Sequence, residues 1–298
     1  MKANGENKKV MEKLCVLANI EKDKNYEIAE YIKELIEKAG KKCVMVNDRF
    51  TKHKKKGYIH FKEIPTDVEC LLTLGGDGTM LQAARDFCHM QIPLLGVNLG
   101  TLGFLTEVER QNIEEVLKEI FEGNYKIEHR MMLEGVKEEN TKTSHKKIAL
   151  NDFVLHKSNG RRLVTFHVYV NGELMDTYIC DGLIFSTPTG STAYNLAAGG
   201  PVLTPEMKAI IITPICPHSL NKRSLVLSSD AKIIVEIGKS KECMDDYAVV
   251  NVDGSNVIDL MTSEKIHIQC CKQETKIIRL PSGSFYNRLR EKLNRGGL

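Results

Sequence analysis

The chain has no apolar run long enough to cross a bilayer, no C-x-x-C pair and no large excess of either charge. The first absence excludes a transmembrane helix. The second removes the usual zinc-site spacings, although nine cysteines are present and Cys270 and Cys271 are adjacent. A formal net charge of +3 gives no global argument for nucleic acid or for an anionic membrane. The first residues, MKANGENKKVMEK, lack the apolar core of a secretion signal. The odd cysteine count then reads most simply as reduced, mostly buried thiols, and a cytoplasmic location is expected. No internal repeat stands out. What is present is ordinary in amount: 42% hydrophobic and 27% charged residues over 298 positions, enough for two domains with their own cores.

The first part alternates strand and helix signals. Residues 14–18 (LCVLA), 43–46, 70–74 and 93–97 read as buried strands. Residues 25–39 place Ile28, Tyr31, Ile32, Leu35 and Ile36 at helical spacing, with Gly40 as the cap, and helices are also expected over 79–88 and 111–121. Such alternation implies a parallel, doubly wound sheet, with ligands beyond the carboxyl ends of its strands. From about residue 130 the pattern turns to strands: 148–157, 163–170, 173–179, 209–213, 233–237, 247–252 and 265–269. Asn171-Gly172 and Asp253-Gly254 are tight-turn signals, and an all-β sandwich is expected. Residues 284–293 return to a helical pattern. The charged stretch 51–62 (TKHKKKGYIHFK) reads as an exposed, solvated loop.

Four stretches carry chemistry. Gly75-Gly76-Asp77-Gly78-Thr79 follows the apolar run LLTL and opens a helix. Glycines there let a ligand approach the backbone, and Asp77 would project into a cleft, although Asp77 as a plain helix cap explains the same letters. It is neither a Walker A loop nor a G-x-G-x-x-G fingerprint. NLGTLGFL (98–105) either lines that cleft with Phe104 or plugs the core with Leu102 and Phe104. Asn151-Asp152 interrupts an apolar strand, which calls for a ligand, a bulge or a wet sheet edge. In residues 181–201, DGLIFSTPTGSTAYNLAAGGP, Thr187, Thr189, Ser191 and Thr192 crowd hydroxyls around a turn ahead of Tyr194, Asn195 and a run of small residues. That density suits a nucleotide's base edge and phosphates. His167 and His218 read as structural.

GGDGTML, NLGTLGFL, ALND, the 181–201 block, ITPICPHSL and VDGS stand in the order and spacing of the NAD kinases, which the chain resembles from about residue 18 to the C-terminal helix. The long block is specific to that family, whereas GGDGT is shared with diacylglycerol and sphingosine kinases and, in variant form, with phosphofructokinases. The resemblance implies transfer of the γ-phosphoryl group of ATP to the 2′-hydroxyl of the adenosine ribose of NAD. It makes Asp77 the general base, with Gly76 and Gly78 beside the nucleotide and Phe104 bordering the pocket. Asn151 and Asp152 would hold ribose and base of the acceptor, and Asp181 the far nucleoside. Thr189, Thr192, Ala193, Tyr194, Asn195 and the turn through Ala197 would form the adenine side. Arg162 would lie near phosphates, and Asp253 or Ser255 near the second nucleoside, with a neighbouring subunit as one source of that contact.

Two departures from the family pattern stand out. Asp152 replaces a frequent Glu, and Ile179 stands where some members carry an arginine. The resemblance further implies an α/β domain over 1–128, a β domain over 129–275, and residues 276–298 returning to the first domain, with the active site in the crevice. A divalent cation, Mg²⁺, would arrive with ATP rather than in a protein cage, and inorganic polyphosphate is an alternative donor. No resident metal, nucleic-acid or membrane partner is expected, and the family implies a homodimer or homotetramer. The competing readings are a lipid kinase sharing GGDGT and a non-catalytic dinucleotide sensor.

Overall fold

The structure, a computed structural model, describes residues 10–18, 22–47, 64–100, 103–138, 146–158, 163–239, 247–281 and 284–295. Arg162 and the stretch 51–62 lie outside them. The chain divides into two compact units: Met1–His129 with Thr275–Leu298, and Arg130–Glu274.

The first unit is built on a parallel sheet in the order Lys42–Asn47, Lys13–Ala18, Cys70–Gly75, Leu94–Asn98. Val108–Glu109 and Ile277, near the end of the chain, also pair in parallel with Leu94–Asn98. Every residue of Cys70–Gly75 and Leu94–Asn98 is buried, as expected of strands covered on both faces. The alternation of a strand decides which helix covers which face. Leu14, Val16, Ala18, Leu72 and Leu74 share a core with Ala29, Ile32 and Ile36 of helix Glu27–Lys38 and with Val116, Leu117 and Ile120 of helix Ile113–Phe121. Thr73 points the other way and donates its hydroxyl to Met80 Sδ of helix Asp77–Phe87, 3.0 Å away. The sheet is therefore wound on both faces. The C-terminal helix Phe285–Arg295 packs onto this unit through Phe285, whose ring lies 6.5 Å from that of Phe104.

The second unit is a β-sandwich. One antiparallel sheet runs Leu225–Ser228, Ala209–Ile215, Gly182–Ser186, Asp152–Lys157, Tyr247–Val252, Ser255–Met261. The other is formed by Glu173–Cys180, Val164–Val170, Ile233–Ile237, Lys265–Arg279, Lys126–Lys137 and Lys147–Ala149. Phe153, Phe185, Ile210 and Val250 from the first sheet share one core with Phe166, Tyr178, Val235 and Ile266 from the second. The Asn171-Gly172 and Asp253-Gly254 turns hold both residues at positive φ, as two-residue hairpin loops require.

The strand expected over 148–157 is interrupted. Lys147–Ala149 and Asp152–Lys157 belong to different sheets, and Leu150-Asn151 turn between them. Lys265–Arg279 runs ten residues beyond its expected end at 269, and Leu225–Ser228 and Ser255–Met261 are additional strands at the two edges of their sheet.

Candidate functional site

Asp77 is the first residue of helix Asp77–Phe87, directly beyond the carboxyl end of Cys70–Gly75. It follows the N-cap residue, Gly76, which has no side chain to cap the helix. The Asp77 carboxylate accepts four hydrogen bonds from the loop that follows Leu94–Asn98. Oδ2 takes the Phe104 amide at 2.7 Å. Oδ1 takes the amides of Leu105 (3.1 Å) and Thr106 (3.0 Å) and the Thr106 hydroxyl (3.1 Å). Every one of these groups is a donor, an arrangement that an ionised carboxylate satisfies fully. The loop itself is braced by Asn98, whose amide donates to Gly100 O and accepts from Gly100 N.

Glycines act in two ways around this carboxylate. A Cβ on Gly103 would overlap the Asp77 carboxyl group, so the close approach of the loop requires glycine. At Gly76 and Gly78 a Cβ would meet nothing within 4 Å, so neither is demanded by packing inside the protein. Open space beside a carboxylate at a helix N-terminus is where a ligand group fits.

On the far side of the loop sits Arg279, 5% exposed, which the sequence reading did not single out. Its Nη2 donates to Phe104 O (3.3 Å) and its Nη1 to Leu105 O (3.2 Å). Nη1 also pairs with Glu107 Oε2 (2.8 Å), and Nε with Glu128 Oε2 (3.1 Å). Glu107 carries a second ion pair to Arg288 of the C-terminal helix, 3.4 Å. The available signal was an arginine closing an apolar strand (KIIR), a placement that needs partners once buried.

In the second unit, Asp253 organises the Leu150–Asp152 backbone. Its carboxylate accepts from the amides of Leu150 (3.1 Å), Asn151 (2.8 Å) and Asp152 (3.2 Å), while its own N–H donates to Asp152 O (3.1 Å). Asp253 thus has a framework role in this structure, its two oxygens serving three amides. Ser255, just past the turn, is exposed. Asp152 is only 5% exposed, and burial, with the Asp253 charge adding to it, pushes its carboxyl up to about 7. Asn151 is half-buried, and its carbonyl accepts from the Thr187 amide at 2.9 Å.

The hydroxyl-rich turn divides into groups that build it and groups left at its surface. Thr187 Oγ1 donates to Leu150 O (2.6 Å) and accepts from Gly190 N (3.1 Å). Ser191 Oγ lies 2.6 Å from Pro188 O and accepts from Leu203 N (3.0 Å). Asn195 is wholly buried: its amide donates to Ser191 O (3.2 Å) and Pro201 O (3.0 Å) and accepts from Thr213 Oγ1 (2.7 Å). Thr189, also buried, faces Arg130, whose Nη1 is 3.2 Å away. In this structure the side chains of Thr189 and Asn195 make internal contacts that hold the turn. Thr192 and Ala193 are half-buried and Tyr194 and Ala197 are exposed, so these four form the turn's open side. Asp181 pairs with Lys157 at 2.6 Å.

Among the described residues, no cluster of three or more His, Cys, Asp or Glu side chains could hold a metal, and no helix is long and apolar enough to cross a membrane. The eight described cysteines are free thiols, five of them buried.

Residues 9–125 match the ATP-NAD kinase N-terminal domain family and residues 150–280 the ATP-NAD kinase C-terminal domain family. An NAD kinase of Lachnoclostridium phytofermentans is 43% identical over 284 residues, covering 95% of this chain and 99% of that one. Among solved structures, yeast NADH kinase complexed with NADH superposes with a TM-score of 0.71 at 24% identity, covering 94% of this chain and 86% of the yeast chain. An NAD kinase from Archaeoglobus fulgidus in complex with ATP gives 0.72 at 22%, covering 95% and 98%. At these identities the two structures establish a shared fold.

Proposed function

The chain belongs to the ATP-NAD kinase family, and from that premise we propose that it transfers the γ-phosphoryl group of ATP to the 2′-hydroxyl of the adenosine ribose of NAD, yielding NADP and ADP. One observation carries the reading: the family match runs through both units of a chain that keeps Asp77 at a helix start.

The chemistry assigned to the residues follows from their hydrogen bonds. Among the described residues, Asp77 Oδ1 accepts from three donors, whereas Oδ2 accepts from the Phe104 amide alone. A carboxylate oxygen has room for more than one donor, so Oδ2 is the atom that takes the proton of the acceptor hydroxyl. The deprotonating oxygen attacks the γ-phosphorus in line, the bond to the β-phosphate oxygen breaks, and ADP leaves. Most of the rate comes from positioning and charge neutralisation, with the base contributing roughly 10²- to 10⁴-fold. ATP enters with a divalent cation, which neutralises phosphate charge. Gly76 and Gly78 leave room beside the reacting group. Asn151 and Asp152 hold ribose and base of the acceptor, and Thr192, Ala193, Tyr194 and Ala197 line its adenine side. A cytoplasmic location and a homodimeric or homotetrameric assembly belong to the same proposal.

The lipid-kinase alternative is not favoured, because residues 150–280 match a domain family named for ATP-NAD kinases. A dinucleotide sensor has no use for the Asp77 arrangement. The test is incubation with NAD and Mg-ATP, followed by detection of NADP with an NADP-specific dehydrogenase, with polyphosphate as a parallel donor. NADP formation supports the reading. A folded protein that binds NAD and forms no NADP with either donor rejects it in favour of the sensor.

A further inference from the structure

Arg279 and Asp77 touch the same two peptide units from opposite sides. The peptide joining Phe104 to Leu105 accepts from Arg279 Nη2 at its carbonyl (3.3 Å) and donates its N–H to Asp77 Oδ1 (3.1 Å). The next peptide, Leu105 to Thr106, accepts from Arg279 Nη1 (3.2 Å) and donates to the same Oδ1 (3.0 Å). A carbonyl that accepts a charged donor polarises its amide and strengthens the N–H on the other end. We infer that Arg279 is a positioning residue for the base: through these two peptides its guanidinium fixes Asp77 Oδ1, and so leaves Oδ2 directed at the acceptor hydroxyl.

The arrangement needs an arginine. Only a planar fork donates to two successive carbonyls while Nη1 and Nε also pair with Glu107 and Glu128, and lysine offers a single point charge. The fork is held in its turn. Glu107 bridges Arg279 to Arg288, so the C-terminal helix fixes the guanidinium that fixes the loop. Arg279 is buried and meets the loop at two backbone carbonyls and at the Glu107 carboxylate, so its effect on turnover passes through Asp77 rather than through substrate.

The inference rests on Asp77 being the base, and the experiment separates the two. Arg279→Met and Arg279→Lys are made in the wild-type and Asp77→Asn backgrounds, each checked for fold by circular dichroism, and kcat and KM for NAD are measured. In the wild-type background, Arg279→Met lowers kcat about 10- to 100-fold, the scale of a small misplacement of a catalytic group, with KM for NAD nearly unchanged. Arg279→Lys gives an intermediate loss. In the Asp77→Asn background both substitutions change the residual rate less than about twofold, the signature of residues acting as one unit. Equal losses in both backgrounds, or a rise in KM matching the fall in kcat, overturn the inference and leave Arg279 a structural residue. Near-normal turnover of Asp77→Asn alone overturns the assignment of the base instead. Should Arg279→Met fail to fold, with Glu107 and Glu128 each losing their ion pair to Arg279, the Arg279→Lys cycle decides.

Discussion

Replacing Asp152 with asparagine removes a buried charge while keeping the shape of the side chain. In the folded protein burial, followed by the nearby Asp253 charge, pushes the Asp152 carboxyl from 3.8 to about 7. A raised carboxyl binds its proton more tightly folded than unfolded, so the stability it confers is full below about pH 4 and is lost as pH rises through about 7. The shift of about three pH units, at about 1.36 kcal/mol per unit, sets a ceiling on the order of 4 kcal/mol above neutrality. Asp152→Asn carries no such charge and escapes the penalty. Urea unfolding followed by far-UV circular dichroism, suited to a chain without tryptophan, then has a clear expectation. Wild type and variant unfold together near pH 4, and by about pH 8 the variant is more stable by about 2–4 kcal/mol. A stability difference independent of pH, or a variant less stable at pH 8, would refute the burial argument. Above about pH 7 the same variant is expected to bind NAD more weakly, since a ribose hydroxyl then loses an ionised acceptor.

Gly103→Ala places a methyl group against the Asp77 carboxyl and pushes it off its four donors, so the protein is expected to melt at a lower temperature and to lose at least about tenfold in kcat. A variant as active as wild type would show that the loop need not approach Asp77 so closely during turnover. Asp253→Ala strips three backbone amides of their acceptor and is expected to cost roughly 2–4 kcal/mol of stability, read in the same urea titration. Its KM for NAD should rise as the Asn151-Asp152 backbone loosens, and an unchanged KM would sever Asp253 from acceptor binding.

The course of the chain was legible where pattern and physics coincide. Leu14–Ala18 and the run LLTL are apolar because both faces of a parallel sheet are covered, and Asn171-Gly172 marks a turn that only positive φ can make. What eluded the sequence depends on contacts between distant residues. The choice between Asp77 as helix cap and Asp77 as presented carboxylate turns on amides 27 to 29 residues further on, which no local spacing encodes. The interruption at Leu150-Asn151 has its cause a hundred residues away, in the Asp253 carboxylate. Hydroxyl density at Thr187–Thr192 read as ligand-facing, yet Thr187 and Ser191 mostly hold the turn together: a tight, buried turn needs internal acceptors and donors as much as a ligand would. Residues 265–279 read short because KQETK breaks the apolar alternation, although an extended strand tolerates polar residues on an exposed side.

The most direct measurement on the base is the turnover of Asp77→Asn set beside its affinity for NAD. Isothermal calorimetry should give an NAD affinity close to that of the wild type, while NADP formation falls at least about a hundredfold. Turnover within a few-fold of wild type, in a variant that binds NAD normally, would contradict the role assigned to Asp77.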